Sequence, residues 1–331
     1  MKIIITGGTG FLGSSLTKNL LDAGHEVHTI SRRPLIKTKF QSENSHHTFD
    51  LTKDTLPHSL LSGTDVFFHI AAKAGVWGNY FQYYNANVLA TEKILTACQA
   101  ANIPRFIYTS TPSVVFSGKS INHGDESLTY GNTGFSPYAE TKSIAERKVL
   151  KANEIGKFQT LALRPHLVWG ENDPHLLPRV IKRHKKGKLR IIGSGQNKVD
   201  LTHIDNVTHA HVCAMNAMVK NKNLGGNPYF IGQDEPIILW EWLNEVFQLI
   251  DLPPIKQKIS FRNAFFVGST MEGIWKVLGI KKEPPMTRFV ACQLAHDHWF
   301  SIESARKDLG YSPIKNMEEA LEELIPWLNS L

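Results

Sequence analysis

Short apolar runs alternate with longer amphipathic stretches through the first half of the chain. Each run ends near a glycine, a proline or a small polar residue, which is typical of buried parallel strands. The stretches between them repeat apolar residues every three or four positions, as helices do. The pattern predicts strands at Lys2–Thr6, Glu26–Ile30, Asp65–Ile70, Arg105–Ser110 and Phe158–Arg164, the last stopped by Pro165. It predicts helices at Phe11–Ala23, Asn79–Ala101 and Ser136–Asn153.

Strands alternating with helices at this spacing predict an α/β fold, a Rossmann-type doubly wound parallel sheet with right-handed crossovers. After about residue 170 prolines and glycines become denser, and short strands mix with helices. We therefore expect a dinucleotide-binding domain at 1–170, with 195–220 packing back on it, and a smaller mixed α/β part at 171–331 that mainly binds substrate.

Segments of the second half have clear patterns of their own. Phe261–Leu278 is amphipathic, and we expect it to line the substrate site or join the core rather than contact a membrane. The aromatic residues of the second half predict a core with some apolar ligand surface. Further predicted elements are the strands Leu189–Ile192 and Tyr229–Ile231 and the helices Pro236–Ile250 and Met317–Leu328.

A glycine-rich turn joins the first strand to the first helix. Glycine at 7 permits the tight turn, glycine at 10 lets backbone approach a pyrophosphate, and glycine at 13 lets helix and strand pack closely. The helix N-terminus then favours the phosphates. The turn predicts a dinucleotide site that uses Gly7, Thr9, Gly10, Phe11, Leu12 and Gly13.

The end of the second strand indicates which dinucleotide is bound. An acid that holds the ribose hydroxyl is expected there, but Ser31 is followed by Arg32 and Arg33. A guanidinium suits a 2′-phosphate, so we predict NADP(H) with Arg32 as the contact, rather than NAD(H). The alternative is that Arg32 and Arg33 are solvated and contact no cofactor. Asp50 and Leu51 follow the third strand and are candidates to receive the adenine.

Tyr138 and Lys142 lie four residues apart on one predicted helix and so share a face. A nearby ammonium is expected to lower the tyrosine pKa and make the phenol useful in proton transfer. Thr111 lies just past a strand end, where its hydroxyl could bind the carbonyl being reduced. Ser110 and Ser113 are rival candidates. Asn87 is either a member of this hydrogen-bonded set or a group that satisfies buried backbone.

Composition narrows the class of protein. The chain has 331 residues and a net charge of +7, with 42% hydrophobic and 20% charged residues, as in ordinary globular proteins. Its cysteines, Cys98, Cys213 and Cys292, are scattered, which predicts buried thiols in a reducing cytoplasm. No signal peptide is expected.

Two polar clusters have ordinary interpretations. The basic run 182–190 predicts a solvated helix end, with an anionic substrate or an acidic partner as the alternative, and it lacks the aromatic residues of a nucleic-acid site. His203, Asp205, His209 and His211 lie at a predicted strand–helix junction, where Asp205 would cap the helix. No metal site is expected there.

Together these residues resemble the extended short-chain dehydrogenase/reductase superfamily and, within it, the 3β-hydroxysteroid dehydrogenase-like branch. The glycine turn, His69–Ala72, Tyr108–Val114, Tyr138 with Lys142 and Leu163–Pro165 carry the resemblance. It implies a catalytic set of Thr111, Tyr138 and Lys142, with Asn87 near it, and a homodimer formed through 79–101 and 136–153. It also implies cofactor contacts from Ala71, Ala72, Lys73, Thr109, Tyr138, Lys142, Pro165, Leu167 and Val168.

A closer similarity is to reductases of long-chain β-keto acids. It rests on Ala71–Gly78, Leu176–Arg179, Asp200–Asn206, Thr287–Phe289 and His298–Ser301. It implies NADPH-dependent reduction of the 3-keto group of a 2-alkyl-3-oxoalkanoic acid, in lipid metabolism and olefin biosynthesis, with possible assembly with other pathway enzymes. Lys73, Arg179 or the basic run would then meet the carboxylate.

Other functions on the same fold stay open. A 3β-hydroxysteroid or sterol dehydrogenase keeps the chemistry and changes the substrate. A nucleotide-sugar epimerase or reductase would need more polar contacts than the aromatic second half suggests. A non-catalytic nucleotide sensor is disfavoured, because it need not keep Thr111, Tyr138 and Lys142 together.

Overall fold

The computed structural model describes residues 1–34, 45–131, 134–174 and 176–331. The strands are β1 (Lys2–Thr6), β2 (Glu26–Ser31), β3 (His46–Thr48), β4 (Val66–His69), β5 (Arg105–Thr109), β6 (Ile121–Gly124), β7 (Gln159–Pro165), β8 (Val168–Trp169), β9 (Ile191–Ile192), β10 (Lys198–Val199), β11 (Thr202–His203), β12 (Pro228–Ile231), β13 (Ile237–Ile238), β14 (Lys258–Ile259) and β15 (His298–Phe300). The helices are α1 (Phe11–Asp22), α2 (His58–Leu61), α3 (Tyr80–Tyr83), α4 (Ala90–Ala100), α5 (Pro137–Lys151), α6 (Leu177–Lys185), α7 (Ile204–Lys220), α8 (Leu239–Leu249), α9 (Phe261–Val277), α10 (Arg288–Ala295), α11 (Glu303–Leu309) and α12 (Met317–Asn329).

A parallel sheet of seven strands, ordered β12-β7-β5-β4-β1-β2-β3, forms the centre of the fold. Its pairings are all parallel. The predicted Rossmann-type fold is therefore confirmed. The chain moves outward from β1 in one direction and then returns to β4 on the other side, so the carboxyl ends of β1 and β4 border a crevice. Open α/β sheets bind their ligands at such a reversal of strand order.

The uninterrupted apolar run of β1 follows from burial on both faces of the sheet. Ile3 and Ile5 pack with α1 and α7, while Ile4 packs toward α4 and α5. Successive strand residues point to opposite faces, so a strand covered on both sides needs apolar residues at every position.

A separate apolar cluster organises much of the second half. Trp240, Trp242 and Phe247 of α8 are buried there with residues of α6, α9, α10 and α12. A smaller sheet, β13-β10-β15-β6, lies outside the central one. The two parts of the chain do not divide at one position, because α7 packs against α1 and β12 joins the central sheet. The assignment of cofactor and substrate binding to two parts of the chain remains a proposal.

The structure differs from three expectations about local structure. Pro165 is the last residue of β7 rather than its stop, and it pairs with Ile231. Ile237 and Ile238 form β13 against β10, so the helix predicted from residue 236 begins at Leu239. Asp205 does not cap α7, because the His203 ring accepts the cap hydrogen bond from the Asp205 amide at 3.3 Å.

Local sequence explains why α5 starts where it does. The Ser136 hydroxyl accepts a hydrogen bond from the Ala139 amide at 3.3 Å, and Pro137 occupies the first turn, where its missing N–H costs nothing. A buried ion pair of 2.5 Å between Arg164 of β7 and Glu146 of α5 fixes the helix against the sheet. The helix that carries Tyr138 is thus held at both its start and its middle.

Candidate active site

The glycine turn has the geometry that a bound pyrophosphate requires. Gly7 has φ +74, and its amide donates to the Ile30 carbonyl at 2.7 Å. A Cβ at Gly13 would lie 2.1 Å from the Gly7 carbonyl oxygen, so only glycine allows the helix to pack this closely. Gly10, the N-cap of α1, supplies no side-chain cap. The first-turn amides are therefore available to an anion.

The proposed adenosine end of the cleft carries exposed cations. Arg32 and Arg33 follow β2 and are both exposed. The Ser31 hydroxyl donates to the Arg33 carbonyl at 2.7 Å. Hydrogen bonds from Thr52 lower the pKa of Asp50, and the charge of Arg32 lowers it further. The Arg32 guanidinium and the Asp50 carboxylate are therefore close enough for their charges to interact.

Three hydroxyls gather where β5 ends. The Thr111 hydroxyl hydrogen-bonds the Tyr138 hydroxyl. It also lies 3.2 Å from the Ser113 hydroxyl and accepts from the Ser113 amide at 3.2 Å. Ser110 points elsewhere, and its buried hydroxyl has no hydrogen-bond partner within the described residues. Of the candidates Ser110, Thr111 and Ser113, the structure brings Thr111 to the tyrosine.

Lys142 is a buried cation on the same helix. It is 2% exposed. Its ammonium donates to the Thr109 carbonyl at 2.6 Å and lies 4.0 Å from the centre of the Tyr108 ring. Burial lowers the pKa of Lys142 to about 7, against the attraction of Glu146.

The expected lowering of the Tyr138 pKa by Lys142 is not found. Desolvation raises the pKa of Tyr138 to about 12, and the hydrogen bond from Thr111 only partly offsets that rise. The Lys142 ammonium is instead engaged by the Thr109 carbonyl and the Tyr108 ring. Tyr138 is therefore protonated at neutral pH, which is the state a proton donor needs.

Asn87 connects two sides of the cleft. Its side-chain oxygen accepts from the Lys73 amide at 2.7 Å. Its nitrogen donates to the Lys73 carbonyl at 3.1 Å and to the Thr141 hydroxyl at 3.1 Å. Asn87 lies in a π-helical stretch, Tyr84–Leu89, a distortion often found at functional sites. Its side chain joins the segment after β4 to the helix of Tyr138.

A second polar chain, which the sequence pattern did not reveal, links the end of β1 to α4. The Thr6 hydroxyl accepts from the amides of Ile70 and Ala71 at 3.1 and 3.2 Å. It therefore donates to His69 Nδ1 at 2.7 Å, and His69 Nε2 donates to Thr91 at 2.9 Å. Burial, with the charge of Lys142, lowers the pKa of His69 to about 3, so the ring stays neutral in one tautomer. The sequence does hold a signal that could have revealed this chain. Polar residues stand at the ends of strands that face an apolar helix.

The segment after β7 is held in an unusual conformation. Leu167 has φ +38, a region that side chains other than glycine rarely adopt. His298 Nε2 donates to the Gln293 carbonyl at 2.7 Å, so its Nδ1 accepts from His166 Nε2 at 2.6 Å. Surrounding structure must hold such strain, and it concentrates at functional sites. This buried histidine pair ties the segment containing Pro165, Leu167 and Val168 to α10.

An apolar wall lies beside the tyrosine. Its buried members are Phe116, Phe289 and Cys292. Aromatic rings of Phe135 and Phe265 meet edge to face with centres 5.8 Å apart. Val76, Phe135, Ala139, Phe261 and Phe265 pack around these residues. Because Ala139 follows Tyr138 in α5, the wall packs against the helix turn that carries the phenol.

Cations expected to meet an acidic substrate have different surroundings. Arg179 forms an ion pair with Glu283, and Arg183 donates to the Pro285 carbonyl. The basic run thus helps to hold the segment that follows α9. The Lys73 ammonium lies 5.1 Å from the centre of the Tyr83 ring, and the Tyr83 phenol in turn raises the pKa of Tyr138. Lys73 therefore contacts a neighbour of Tyr138, whereas Arg179 and Arg183 are held by the segment after α9.

The described residues contain no cluster of three or more histidine, cysteine or carboxylate side chains suited to a metal ion. None of the helices in that part of the chain is long and apolar enough to cross a bilayer.

A Rossmann-type sheet with a glycine turn, a tyrosine and a lysine defines an NAD(P)-dependent oxidoreductase of the short-chain dehydrogenase/reductase type. The chain belongs to the 3-beta hydroxysteroid dehydrogenase/isomerase family, whose model matches residues 4–261.

Similar proteins support this assignment. The chain is 40% identical over 326 residues to a 2-alkyl-3-oxoalkanoate reductase of Stenotrophomonas maltophilia, covering 98% of each chain. It is 32% identical to a decarboxylating sterol-4-alpha-carboxylate 3-dehydrogenase of Mus musculus, covering 98% of this chain and 90% of the relative. A solved structure of UDP-glucuronic acid 4-epimerase from Bacillus cereus with NAD matches with TM-score 0.74 and 26% identity, over 99% of this chain and 100% of the other.

Proposed function

We propose that the protein reduces the 3-keto group of a 2-alkyl-3-oxoalkanoic acid to the 3-hydroxy acid with NADPH. The apolar wall beside Tyr138 carries this proposal, because it suits alkyl chains and offers little to the hydroxyls of a nucleotide sugar. The full-length similarity to a 2-alkyl-3-oxoalkanoate reductase supports it.

The residues present fit a nicotinamide dinucleotide. A side chain at Gly7 or Gly13 would fill the cradle, and the open end of α1 suits phosphate. Arg32 would hold a 2′-phosphate, with Ser31, Asp50 and Leu51 around the adenosine. When bound, the cofactor supplies the hydride. Further proposed contacts are Thr9, Gly10, Phe11, Leu12, Ala71, Ala72, Lys73, Thr109, Tyr138, Lys142, Pro165, Leu167 and Val168.

Tyr138 donates the proton to the ketone oxygen. Its raised pKa keeps it protonated until the developing alkoxide, a stronger base, takes the proton. The Thr111 hydroxyl, already bonded to that phenol, polarises the carbonyl. Lys142 orients the ribose of the cofactor. It also returns a proton to the tyrosine after the tyrosine has given its own to the ketone oxygen. Asn87 holds the Lys73 segment and α5 at a constant separation.

Lys73 binds the carboxylate of the substrate. The names of two relatives share one chemical feature, a carboxylate on the carbon next to the one that carries oxygen: 2-alkyl-3-oxoalkanoate and sterol-4-alpha-carboxylate acted on at position 3. A ketone at Tyr138 places such a carboxylate one carbon further along. The contact of Lys73 with Tyr83, a neighbour of Tyr138, supports Lys73 as the cation that meets it.

Replacing Lys73 by methionine tests this contact. We expect KM for the keto acid to rise about tenfold, because a charge-assisted hydrogen bond is lost. KM for a neutral ketone analogue should stay the same. Arg179→Met is the matched control, since Glu283 already pairs with that side chain. An equal effect on both substrates would remove the carboxylate role from Lys73.

The overall proposal is tested in the oxidative direction by NADP⁺ reduction, followed by absorbance. A racemic 2-alkyl-3-hydroxy fatty acid, a 3-hydroxysteroid with and without a 4-carboxylate, and a UDP-sugar are compared. Turnover of the fatty acid alone supports the proposal. Turnover of the sterol carboxylate alone would transfer the activity to that second candidate, which its 32% identical relative favours. Turnover of the UDP-sugar alone would contradict both.

We further propose a homodimer formed through α3, α4 and α5, as the resemblance implies. Phe81 of α3 is 72% exposed, and Leu89, at the end of the π-helical stretch that follows, is 39% exposed. Sedimentation velocity of the Phe81→Asp variant checks it, because a charge at this position should leave a monomer. A monomer before substitution would refute the dimer.

A further inference from the structure

Helix α9 has one firmly anchored face. Ala264, Gly268 and Glu272 are its buried residues. A Cβ at Gly268 would lie 2.7 Å from the Thr287 carbonyl carbon, so the helix touches the backbone of the next segment. The Glu272 carboxylate accepts from the Arg288 amide at 2.7 Å and pairs with its guanidinium at 2.7 Å. These contacts fix which side of α9 faces outward.

The outward side carries exposed apolar side chains among small polar ones such as Asn263 and Thr270, contrary to the expectation that this helix would be core or substrate wall throughout. Phe266 is 71% exposed, Val277 85% and Leu278 65%. Ile274 and Val267 are also exposed. At 100° per residue, Phe266 and Val277 lie opposite Gly268 and Glu272, with Ile274 beside them. An apolar side of this extent on a helix surface marks an interaction site.

The charges around this face are of one sign. Arg262, Lys276, Lys281 and Lys282 are exposed. The single acid between residues 261 and 282, Glu272, is buried against Arg288, and Glu283, the next residue, is paired with Arg179. Exposed apolar side chains bordered by lysines and arginines, without an unpaired acid among them, match the surface of a bilayer that contains anionic lipids.

We propose that the outward face of α9, with Lys281 and Lys282 beyond its end, docks onto an anionic lipid surface. Phe266, Ile274 and Val277 enter the boundary between headgroups and acyl chains, and the lysines meet the headgroup phosphates. A second copy of the chain is a poorer occupant, because a twofold contact would bring the same lysines together without acids to neutralise them.

Docking of this face has a consequence for substrate supply that rests on the proposed function. Phe261 and Phe265 of the same helix belong to the apolar wall near Tyr138. One helix therefore has aromatic residues both on the proposed lipid-facing side and at the proposed alkyl-binding wall. A long-chain substrate dissolved in lipid would reach the wall along α9 without crossing water.

The test is flotation of the full chain with vesicles of phosphatidylcholine alone or mixed with phosphatidylglycerol. We expect binding to the mixed vesicles and its loss at high salt. Val277→Asp and Phe266→Asp should weaken partitioning about tenfold or more. Lys281→Glu with Lys282→Glu should weaken it by about fivefold for each lysine lost.

Matched controls come from other exposed residues. Ile155 and Ile314 are 74% and 61% exposed, and their aspartate variants should bind as the parent does. Lys220→Glu with Lys222→Glu controls for the change in net charge. Equal binding by the α9 variants and these controls, or no binding by the parent, would overturn the proposal. So would a Val277→Asp variant whose effect is confined to a lower oligomeric state.

The two proposals fail separately. Vesicle binding is measured without turnover, and turnover is measured with a short-chain hydroxy acid that needs no lipid. Loss of vesicle binding with intact short-chain turnover in the parent would remove only the docking proposal. Intact vesicle binding without turnover of any 2-alkyl-3-hydroxy acid would remove only the proposed reaction.

Discussion

The two sides of the cleft are built from different materials. The proposed cofactor side is the carboxyl edge of the central sheet, where glycine backbone and short polar side chains such as Thr6 define the surface. The proposed substrate side is made of aromatic side chains from separate helices, among them Phe265 and Phe289. Backbone geometry suits a ligand that many proteins share, whereas the size and shape of side chains can be adapted to one particular ligand.

Their tolerance of change should therefore differ. One added methyl group at Gly13 collides with backbone, which has no rotamer to move into. A changed ring in the apolar wall meets other side chains, which can repack. Substitutions on the first side should abolish binding, and those on the second should alter specificity.

Removing the proton donor should have the largest effect, because the proposed cofactor and substrate sides of the cleft both position their ligands for reaction at this group. We expect Tyr138→Phe to lower kcat by about 10²–10⁴ and to change cofactor affinity much less, since the phenol is one of many proposed cofactor contacts but is the proton donor. Steady-state rates and a cofactor titration measure the two quantities. Tyr80→Phe, which loses a hydrogen bond to Glu140 at the protein surface, is the control. Near-parental turnover of Tyr138→Phe would refute the assignment.

The next largest effect concerns the cofactor side alone. Arg32→Ala should raise KM for NADPH about 10- to 100-fold, because charged hydrogen bonds to a 2′-phosphate are lost. KM for NADH should not change. Arg33→Ala tests the neighbouring guanidinium. Equal responses to the two cofactors, or a parental preference for NADH, would show that these arginines are only solvated.

Gly13→Ala probes the backbone itself. The Cβ would lie 2.1 Å from the Gly7 carbonyl oxygen, so the helix must shift away from the turn. We expect a loss of about 1–3 kcal/mol in the free energy of unfolding and weaker cofactor binding. Gly273→Ala, where a Cβ meets nothing within 4 Å, is the matched control. Denaturant titrations compare the two variants, and equal stabilities would contradict the tight packing of the turn.

At neutral pH the polar chain between the two sides has little effect on activity, and its contribution appears as a pH dependence of stability. The pKa of His69 is lowered to about 3, whereas an unfolded histidine titrates near 6.5. Between these values the unfolded chain binds a proton that the folded chain does not. Stability therefore falls as pH decreases from 6.5 toward 3, by at most about 1.4 kcal/mol per pH unit for this group.

His69→Gln should flatten that dependence while lowering stability at pH 7, where its hydrogen bonds to Thr6 and Thr91 are lost. Thermal unfolding between pH 7 and pH 4 measures both changes. The exposed His58→Gln is the control, since that ring is already in solvent. An unchanged slope in His69→Gln would mean that other buried histidines carry the acid sensitivity.

The sequence alone predicted those parts of the site that depend on local spacing. The strand, glycine turn and helix at 2–22 and the Tyr138–Lys142 spacing on α5 require only neighbouring residues, because backbone conformation and helical periodicity are local. The fold class followed from the alternation of elements, which the sheet order confirms.

Tertiary structure decided what depends on residues far apart in sequence. The raised pKa of Tyr138 results from burial by distant segments, and His166 meets His298 across more than a hundred residues of chain. Large apolar residues occur on more than one side of α9, so packing against Thr287 and Arg288 determines which of them are exposed. Periodicity reveals that a helix has an apolar face, but desolvation depends on which partners cover it.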